Sequence, residues 1–440
     1  MVIQSPNRSI SHSRSRVLSQ SLCFFIAVLL LILFSSCTSL KKTAAPASSP
    51  VVMYNPGKTL FHPEFIVYHN SDTQSTLYFR IWLRELIFSQ ANPELTDRAE
   101  LELITTLYSS YTDHEIAARD TQQFIIYRNK PGDAYTGSRI IPTEMGKTYL
   151  LEVILKDQIR KVQAHKFIWI DRFSEFPQQD FLILQQPDNT PGFETFYYPS
   201  ESFRILHRNY RSGLLYISCF PLSRMLPAPP FSTDEQVTVP PLPDTTWSQS
   251  YSPGMFFSLP KKGRYIFHFK EQPVKGLSLL QLGEHFPQIT TPEDMLPPLQ
   301  YITTRKEYRS ILKEPDLKLA VDRFWLQKGR TFQNSRDLIR IYYNRVLFAN
   351  HYFTFDRAGW KSDRGMIYII MGPPEEVIRD EISEQWVYKS LEANRKYIFK
   401  FTLRNNSLGS YDFILNRNED YRVIWQMAID SWRKGKIFSL

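Results

Sequence analysis

The stretch AGWKSDRGMIYIIMGPPEEV, at residues 358–377, holds the side chains of this chain that are best placed to do chemistry. Asp363 and Arg364 are adjacent and could together bind a small charged ligand. Glu375 and Glu376 could act as a carboxylate pair in general acid–base catalysis. That second pair belongs to an acidic run, which is usually a solvated face, and the run continues with Asp380, Glu381 and Glu384.

The same stretch can also be explained as a structural corner, which is the interpretation we favour. Gly359 and Gly365 could supply positive φ angles on either side of a turn, because glycine has no Cβ. Ser362 and Asp363 could accept hydrogen bonds from nearby backbone N–H groups, as short polar side chains do in turns. The run Met366–Met371 is apolar at every position and predicts a strand buried on both faces.

The end of the stretch fits the structural explanation too. Gly372 would end the strand, and Pro373 and Pro374 would prevent it from continuing, because proline has no backbone N–H. Trp360 would pack beside the strand as a large anchor. A ligand site at the Asp-Arg pair is the alternative.

A search for other catalytic motifs finds little. HExxH, GxSxG and paired CxxC motifs are absent from the sequence. The triplet GKT at residues 146–148 lacks the leading glycine of a phosphate-binding loop, because Ile141 stands there. None of the nine histidines lies within five residues of another, so no local metal pair is predicted. We expect no cofactor and no catalytic residue, although distant residues could still form an enzyme of an unrecognised type.

The first 36 residues predict a secretion signal. Three arginines precede a run of thirteen apolar residues, Leu22–Phe34, and small residues follow it. The run is shorter than the roughly 20 residues of a membrane-spanning helix; an uncleaved membrane anchor is the alternative. The ending Ser35-Ser36-Cys37 resembles a bacterial lipobox, in which the cysteine is acylated and becomes the first residue. Cys37 is therefore the predicted lipid attachment site.

Residues 37–51 are small and polar and predict a tether between the lipid and the first domain. No acidic run follows Cys37, and some outer-membrane lipoproteins exported to the surface carry one, so the resemblance implies a protein that faces the periplasm. Cys23 is lost with the signal. Only Cys219 then remains besides the lipidated cysteine, so no internal disulfide is predicted and Cys219 is expected to be a small buried hydrophobe.

The charge of the chain gives no sign of a nucleic-acid partner. The formal net charge is +9 over 440 residues, and three of the arginines lie in the predicted signal. No run of lysine or arginine resembles a nucleic-acid footprint.

Two successive regions predict all-β structure. Short alternating or apolar runs, such as EFIVYHN and AELELITTLY, fill residues 52–171, and a second set fills residues 172–287. Their spacing predicts two immunoglobulin-like β-sandwiches. Residues 226–254 hold seven prolines. Because proline removes a ladder donor, this segment is predicted to be an extended surface loop; a proline-rich ligand for a partner is the alternative.

The hydrophobic period then changes to that of helices. Residues 288–350 predict a helical connector, in which Leu317, Val321, Phe324 and Trp325 share one face of a first helix. A second helix has Ser335 as its cap candidate and an apolar face made by Ile339, Tyr342, Tyr343, Val346 and Leu347.

Residues 351–440 predict an α+β domain. After the opening stretch come three strand-like runs, EQWVYK, RKYIFKFTLR and GSYDFILNR. A closing helix follows, with one apolar stripe formed by Tyr421, Ile424, Trp425, Ala428 and Trp432.

This last region resembles a known family. The matching residues are Gly359, Trp360, Ser362, Asp363, Arg364, Gly365 and the later Gly372-Pro373-Pro374. They resemble the signature of GWxTD domain-containing proteins, which have threonine where this chain has Ser362. Flanking runs such as DRFW, YYNRVLFAN and WRKGKIF extend the resemblance over residues 299–440. It implies a lipid-anchored or secreted protein of a bacterial envelope, and it implies no reaction and no catalytic residue.

Together these features predict a lipid-anchored outer-membrane protein with a non-catalytic structural or interaction role. Its expected partners are the membrane, through the N-terminal lipid, and an unknown envelope protein. The alternative is binding or processing of carbohydrate or peptidoglycan, for which exposed tryptophan and tyrosine around one groove would form the platform.

Overall fold

A computed structural model describes residues 52–89, 97–109, 115–129, 131–175, 177–233, 242–270, 275–390, 395–405 and 411–439. The predicted signal, the lipid site at Cys37 and the whole tether lie outside these residues. No helix in the described part of the chain is long and apolar enough to cross a membrane.

Two antiparallel sheets form the first sandwich-like unit. Its strands are β1 (Glu64–His69), β2 (Gln74–Trp82), β3 (Arg98–Tyr108), β4 (Ile116–Tyr127), β5 (Ala134–Pro142), β6 (Thr148–Asp157) and β7 (Val162–Asp171). One sheet has the order β1-β2-β5 and the other β4-β3-β6-β7. Alternate side chains of the strands, such as Leu101 and Leu103, meet in one core between the sheets. The prediction of a β-rich first region is therefore confirmed; β5, which contains Gly137, lacks a clear strand pattern in the sequence.

The second sandwich-like unit again pairs two antiparallel sheets. Its strands are β8 (Phe181–Gln185), β9 (Thr190–Pro191), β10 (Phe203–His207), β11 (Gly213–Phe220), β12 (Thr245–Tyr251), β13 (Phe256–Phe257), β14 (Gly263–His268) and β15 (Leu277–Gln281). The sheet orders are β13-β10-β8-β9 and β12-β11-β14-β15. Cys219 is free and buried in β11, as predicted.

One expectation about this unit is wrong in part. The proline-rich segment 226–254 was expected to stay outside any sheet, yet β12 lies within it and pairs with β11 along seven residue pairs. The reason is local: Thr245–Tyr251 contains no proline, so every residue of the strand keeps its N–H. β12 is also an edge strand, which needs a partner on one side only.

The rest of the chain combines six helices with a fifth sheet. The helices are α1 (Pro292–Met295), α2 (Arg305–Ile311), α3 (Leu317–Gly329), α4 (Phe332–Phe353), α5 (Asp363–Met371) and α6 (Tyr421–Arg433). The strands β16 (Glu376–Arg379), β17 (Ser383–Ser390), β18 (Arg395–Asn405) and β19 (Tyr411–Leu415) pair in sequence order. The predicted helical and mixed character of this region is confirmed.

The predicted strand at Met366–Met371 is wrong, because these residues belong to α5. Ser362 begins the helix as its N-cap, and its Oγ accepts a hydrogen bond from the N–H of Gly365 at 3.0 Å. All nine residues of α5 are buried. A helix enclosed on every side is apolar on every side, so its sequence loses the 3.6-residue period that identifies a helix.

The predicted cap of the second connector helix is also corrected. α4 begins one turn earlier, and the Thr331 side chain caps it by accepting from the N–H of Asn334 at 3.3 Å. Ser335 lies inside the helix and donates to the carbonyl oxygen of Trp325 at 3.1 Å. Its hydroxyl therefore ties α4 to α3.

Candidate functional site

The opening glycine and tryptophan of the motif form a 3-10 turn, Gly359–Lys361, between α4 and α5. The turn is fastened to the end of α4 by two side chains. Thr354 Oγ1 accepts from the N–H of Gly359 at 2.9 Å, and Asn350 Oδ1 accepts from the N–H of Trp360 at 3.1 Å. These bonds satisfy backbone donors that the turn would otherwise leave buried and unpaired.

The two flanking glycines are needed for close backbone contact. A Cβ on Gly359 would lie 2.0 Å from the carbonyl oxygen of Ala349, and a Cβ on Gly365 would lie 2.0 Å from the carbonyl oxygen of Gly359. Neither residue is among the positive-φ glycines of the described chain. The expected left-handed turn is therefore wrong, and the packing of the turn between two helices explains both glycines instead.

Trp360 is buried at 8% exposure. Its ring meets that of Tyr301 edge to face at 6.1 Å, and the Tyr301 hydroxyl donates to the Trp360 carbonyl oxygen at 2.8 Å. Trp360 therefore packs against the segment that precedes α2. The strand beside which it was predicted to pack does not form, because Met366–Met371 is helical.

Asp363 faces the end of the sheet and is 6% exposed. Its Oδ2 accepts from the N–H of Leu415 at 2.8 Å and from Arg417 Nη1 at 3.1 Å, and its Oδ1 accepts from Arg417 Nη2 at 2.6 Å. This paired geometry is the strong form of an arginine–carboxylate contact. The carboxylate also lies in the first turn of α5, where the helix dipole favours a negative charge. Asp363 therefore joins α5 to the end of β19.

Arg364 points to a different set of partners. Its guanidinium lies 5.1 Å from the ring centre of Phe353 and 4.7 Å from that of Phe413. Ion pairs reach Asp412 at 3.4 Å and Glu384 at 3.5 Å. Asp363 and Arg364 therefore contact different partners. The structure does not arrange the two side chains as a joint site for one charged ligand.

Glu384 is fully buried, at 0% exposure, and lies at the centre of this charged cluster. Burial alone would raise its pKa, but the guanidinium groups of Arg379 and Arg364 outweigh burial and lower the pKa below its usual value. Its two oxygens accept from Tyr54 at 3.0 Å and from Trp386 Nε1 at 3.1 Å. A carboxylate with this many donors is held ionised inside the domain.

Tyr54 is the functional-site residue that the sequence does not reveal. It precedes the first sandwich-like unit, yet its ring packs on Phe353 at 4.9 Å and on Trp386 at 5.5 Å. Its carbonyl oxygen accepts from the Tyr368 hydroxyl at 2.8 Å, and its backbone φ is 58°, an unusual value for a tyrosine. Burial raises the pKa of Tyr54 to about 12. No local pattern in the segment MYNPG indicates a partner 300 residues away.

The far end of the motif is built around the end of α5. Gly372 has a φ of 91°, and its carbonyl oxygen accepts from the Tyr388 hydroxyl at 2.8 Å. Arg345 donates to the last-turn carbonyl oxygens of Ile369 at 3.1 Å and Ile370 at 3.2 Å, where a cation suits the helix dipole. Gly372 thus ends a helix where the sequence predicted the end of a strand, and the prolines Pro373 and Pro374 follow it before β16.

The other candidate groups do not converge. Glu375 Oε1 accepts from the backbone N–H of Lys389 at 3.2 Å, whereas Glu376 pairs with the Lys389 ammonium group. Within the described ranges, no group of three His, Cys, Asp or Glu side chains could hold a metal ion. A surface cavity of about 310 Å³ contains none of the motif residues, and its lining is Pro56, Thr59, Leu60, His62, Arg84, Glu85 and Arg160.

The aromatic residues count against a carbohydrate platform. Five of the eight tryptophans are buried, and they are Trp325, Trp360, Trp386, Trp425 and Trp432. Trp247 is 39% exposed and lies on the edge strand β12.

Two β-rich units therefore precede a C-terminal region that combines helices with a fifth sheet and contains the motif. A family model of the GWxTD domain matches residues 263–434. The chain therefore contains a GWxTD domain, as the motif predicts. The match begins at β14, upstream of the region 299–440 in which the sequence resemblance was recognised.

Other comparisons add no functional information. A crystal structure of Bacteroides uniformis beta-glucuronidase is similar to part of the chain, with 19% identity, a TM-score of 0.15, and coverage of 24% of this chain and 12% of that chain. A likeness at this TM-score supports no statement about fold or activity. None of the curated proteins compared with the chain matches it.

Proposed function

We propose that the chain is a lipid-anchored envelope protein with a non-catalytic structural or interaction role, attached to the outer membrane through Cys37 and facing the periplasm. Tyr54 carries the proposal, because it is packed in the core of the GWxTD domain. Cys37 and Tyr54 are 17 residues apart (54 − 37), a span of at most about 60 Å. An acylated Cys37 would therefore keep the GWxTD domain close to the membrane, although that domain comes last in the chain.

The contacts of the motif support a non-catalytic role. Both carboxylate oxygens of Asp363 are engaged by Arg417 and a backbone N–H, and the Arg364 guanidinium lies close to two aromatic rings. A catalytic group must reach its substrate. The Asp363 and Arg364 side chains instead contact residues of the fifth sheet and join α5 to it. We propose that the motif holds the domain together and that partners bind its outer surfaces.

We also propose that the two sandwich-like units are immunoglobulin-like. Each has seven or eight strands in two antiparallel sheets with one core between them, as that fold has. On a lipid anchor such units would serve as spacers and binding surfaces for an envelope protein.

The anchor is tested by expressing the full chain with its own signal in a Gram-negative host. We expect the parent protein to sediment with membranes and to incorporate an alkyne-labelled fatty acid. Cys37→Ser should abolish labelling and membrane attachment, since the thiol is the acylated group. Cys219→Ser is the matched control and should behave like the parent, because that thiol is buried in β11.

Two results would contradict the proposal. A parent protein found in the soluble fraction would show that no anchor exists. A Cys37→Ser protein that stays in the membrane without label would indicate an uncleaved membrane-spanning signal. Protease added to intact cells tests the orientation, because a protein that faces the periplasm is protected until the outer membrane is permeabilised.

A further inference from the structure

The surface cavity of about 310 Å³ is formed by three separate segments of the chain. The first segment, residues 56–62, leads from Tyr54 to the first sandwich-like unit. The second is a 3-10 turn, Leu83–Glu85, which follows β2, and the third is the turn between β6 and β7. The three segments each bring one basic side chain to the cavity, and these are His62, Arg84 and Arg160. The cavity therefore has a basic side chain on each of its walls.

Contacts within the protein hold the three walls together. Glu85 Oε2 accepts from the backbone N–H of His62 at 2.8 Å, and Glu85 Oε1 lies 3.4 Å from Nδ1 of the His62 ring. Arg160 Nη1 donates to the carbonyl oxygen of Leu60 at 2.9 Å, which ties the third wall to the first. The backbone of Arg160 is held as well, because its N–H donates to the buried Asp157 carboxylate at 2.9 Å. The walls are therefore held in place without a ligand, as in most small-molecule sites.

Two arginines at the cavity have donors that the protein does not use. The Arg84 side chain forms no hydrogen bond or ion pair within the described part of the chain, and its guanidinium lies 5.0 Å from the ring centre of Trp82. Arg160 uses one nitrogen on the Leu60 carbonyl oxygen and has no carboxylate partner among the residues that the structure describes. Because a guanidinium has five N–H donors, both side chains can bind further acceptors.

One carboxylate, that of Glu85, also borders the cavity. Burial raises the pKa of Glu85, but the hydrogen bonds from the ring and the backbone of His62 outweigh burial and lower the pKa below its usual value. The carboxylate is therefore ionised and already engaged by His62. With His62 counted as neutral, two guanidinium groups and one carboxylate leave the lining a formal charge of +1. This charge favours an anionic group.

We propose that the cavity is a binding site for the phosphate group of a small phosphate monoester, held by Arg84 and Arg160. Such a phosphate carries a charge of about −1.5 to −2 at neutral pH and three acceptor oxygens, so it can accept from two guanidinium groups at once. A carboxylate is satisfied by one guanidinium, as Asp363 is by Arg417. It would leave the second arginine of the cavity without a partner.

The carbon part of the ligand would meet an apolar edge. Pro56 and Leu60 also border the cavity, and Leu60 is 59% exposed. This edge favours a phosphate ester over inorganic phosphate. A phospholipid headgroup is a second source of phosphate, but most headgroups are phosphodiesters with a single negative charge, which matches two guanidinium groups less well. The site does not depend on acylation of Cys37, so its test is independent of the test of the anchor.

The test is ³¹P NMR of glycerol 3-phosphate titrated with the full chain in a detergent that contains no phosphorus. We expect saturable broadening of the phosphate resonance, and Arg84→Gln and Arg160→Gln should each weaken binding about tenfold or more, because each removes charged donors. Arg336→Gln is the matched control, since Arg336 is an exposed arginine of α4 that does not border the cavity. It should bind as the parent does.

Two competitors sharpen the assignment. Acetate should displace glycerol 3-phosphate less well than inorganic phosphate does, because a carboxylate engages one arginine only. Glycerophosphoglycerol, which is a phospholipid headgroup without its acyl chains, should bind more weakly than glycerol 3-phosphate. Tighter binding of this diester would overturn the assignment to a monoester and would indicate a lipid source.

Two further results would overturn the proposal. One is a parent chain that does not broaden the resonance at millimolar ligand. The other is an Arg84→Gln chain that binds with parent affinity. Arg84 is the decisive position because its side chain is exposed, so its substitution should leave the fold intact, and urea unfolding of the variant checks this.

Discussion

The first sandwich-like unit and the GWxTD domain are stabilised in different ways. The buried core of the first unit consists of aliphatic residues, phenylalanines and one tyrosine, and it has no tryptophan. The core of the GWxTD domain contains five tryptophans and five tyrosines, several of which hydrogen-bond to specific backbone atoms. Trp432, for example, donates to the carbonyl oxygen of Ile370 at 3.0 Å, and Tyr342 donates to that of Pro298 at 2.6 Å.

This difference has a consequence for how each region tolerates substitution. An aliphatic core depends on volume and accepts swaps that conserve it. A core that contains hydroxyl, indole and charged groups also depends on how each group is oriented. A buried polar group that loses its hydrogen-bond partner destabilises the fold by the free energy needed to remove that group from water. The family motif lies in the second kind of core.

Gly359→Ala tests the difference most severely. The new Cβ would meet a backbone oxygen of α4 at 2.0 Å, and backbone inside a helix cannot move aside. We expect the GWxTD domain to lose about 3 kcal/mol or more. In the first unit, Gly137→Ala would meet the side-chain ring of Phe79 at 2.4 Å, and a ring can shift, so its cost should be smaller.

Urea unfolding followed by tryptophan fluorescence measures both variants. Gly254→Ala is the control, because its Cβ would have no neighbour within 4 Å. If Gly359→Ala were as stable as Gly254→Ala, close packing of the motif turn would not be the reason for that glycine.

Asp363→Asn removes a buried charge from a paired position. Arg417 would keep its charge with 18% of its side chain exposed, so we expect a loss of about 3 kcal/mol. Glu64→Gln in the first unit should cost less than about 1 kcal/mol, because the Glu64 side chain is 39% exposed. A double-mutant cycle with Arg417→Gln checks the pairing: additive effects of the two substitutions would show that the pair contributes nothing.

Tyr54→Phe keeps the packed ring and removes one hydroxyl. Glu384 would lose a donor and Arg379 an acceptor, for which we expect a loss of about 1–2 kcal/mol. The loss should be accompanied by faster proteolysis near residue 54, since the same hydroxyl holds this segment on the domain. Tyr127→Phe, at a side chain 49% exposed on β4, should change neither measurement.

Of the four substitutions proposed for the GWxTD domain, Glu307→Gln should change the free energy of unfolding least, because 35% of the Glu307 side chain is exposed. Burial raises the pKa of Glu307, but Arg433 and the capping bonds with Thr304 outweigh it and lower the pKa from 4.5 to about 2. A lowered pKa in the folded state stabilises the protein above pH 4.5, and this stabilisation is lost as the pH falls towards 2.

We therefore expect the parent to exceed Glu307→Gln by less than about 1 kcal/mol at pH 7, and the difference to vanish near pH 2. Urea unfolding at a series of pH values measures it. A difference that stayed constant with pH would assign the effect to packing instead of charge.

Much of the architecture could be predicted from local patterns. The alternation of β3 and the apolar stripe of α6 predict a strand and a helix correctly, because each buries one face and leaves the other in water. α5 could not be predicted in this way, since all of its faces are buried and its six-residue apolar run fits a strand equally well. The strand β12 was hidden for another reason, because prolines surround it.

The sequence by itself determined that the chain carries the GWxTD motif and two β-rich regions, and it singled out the residues of that motif. Only the tertiary structure decided what those residues do. Gly359 is required by a helix that passes 2.0 Å from its missing Cβ, and Asp363 is required by an arginine 54 positions later. The Tyr54 hydroxyl donates to Glu384, which lies 330 positions later in the chain, and so packs an early segment into the core of the domain. Periodicity records which face of an element is buried, whereas contacts between distant segments arise only when the elements pack together.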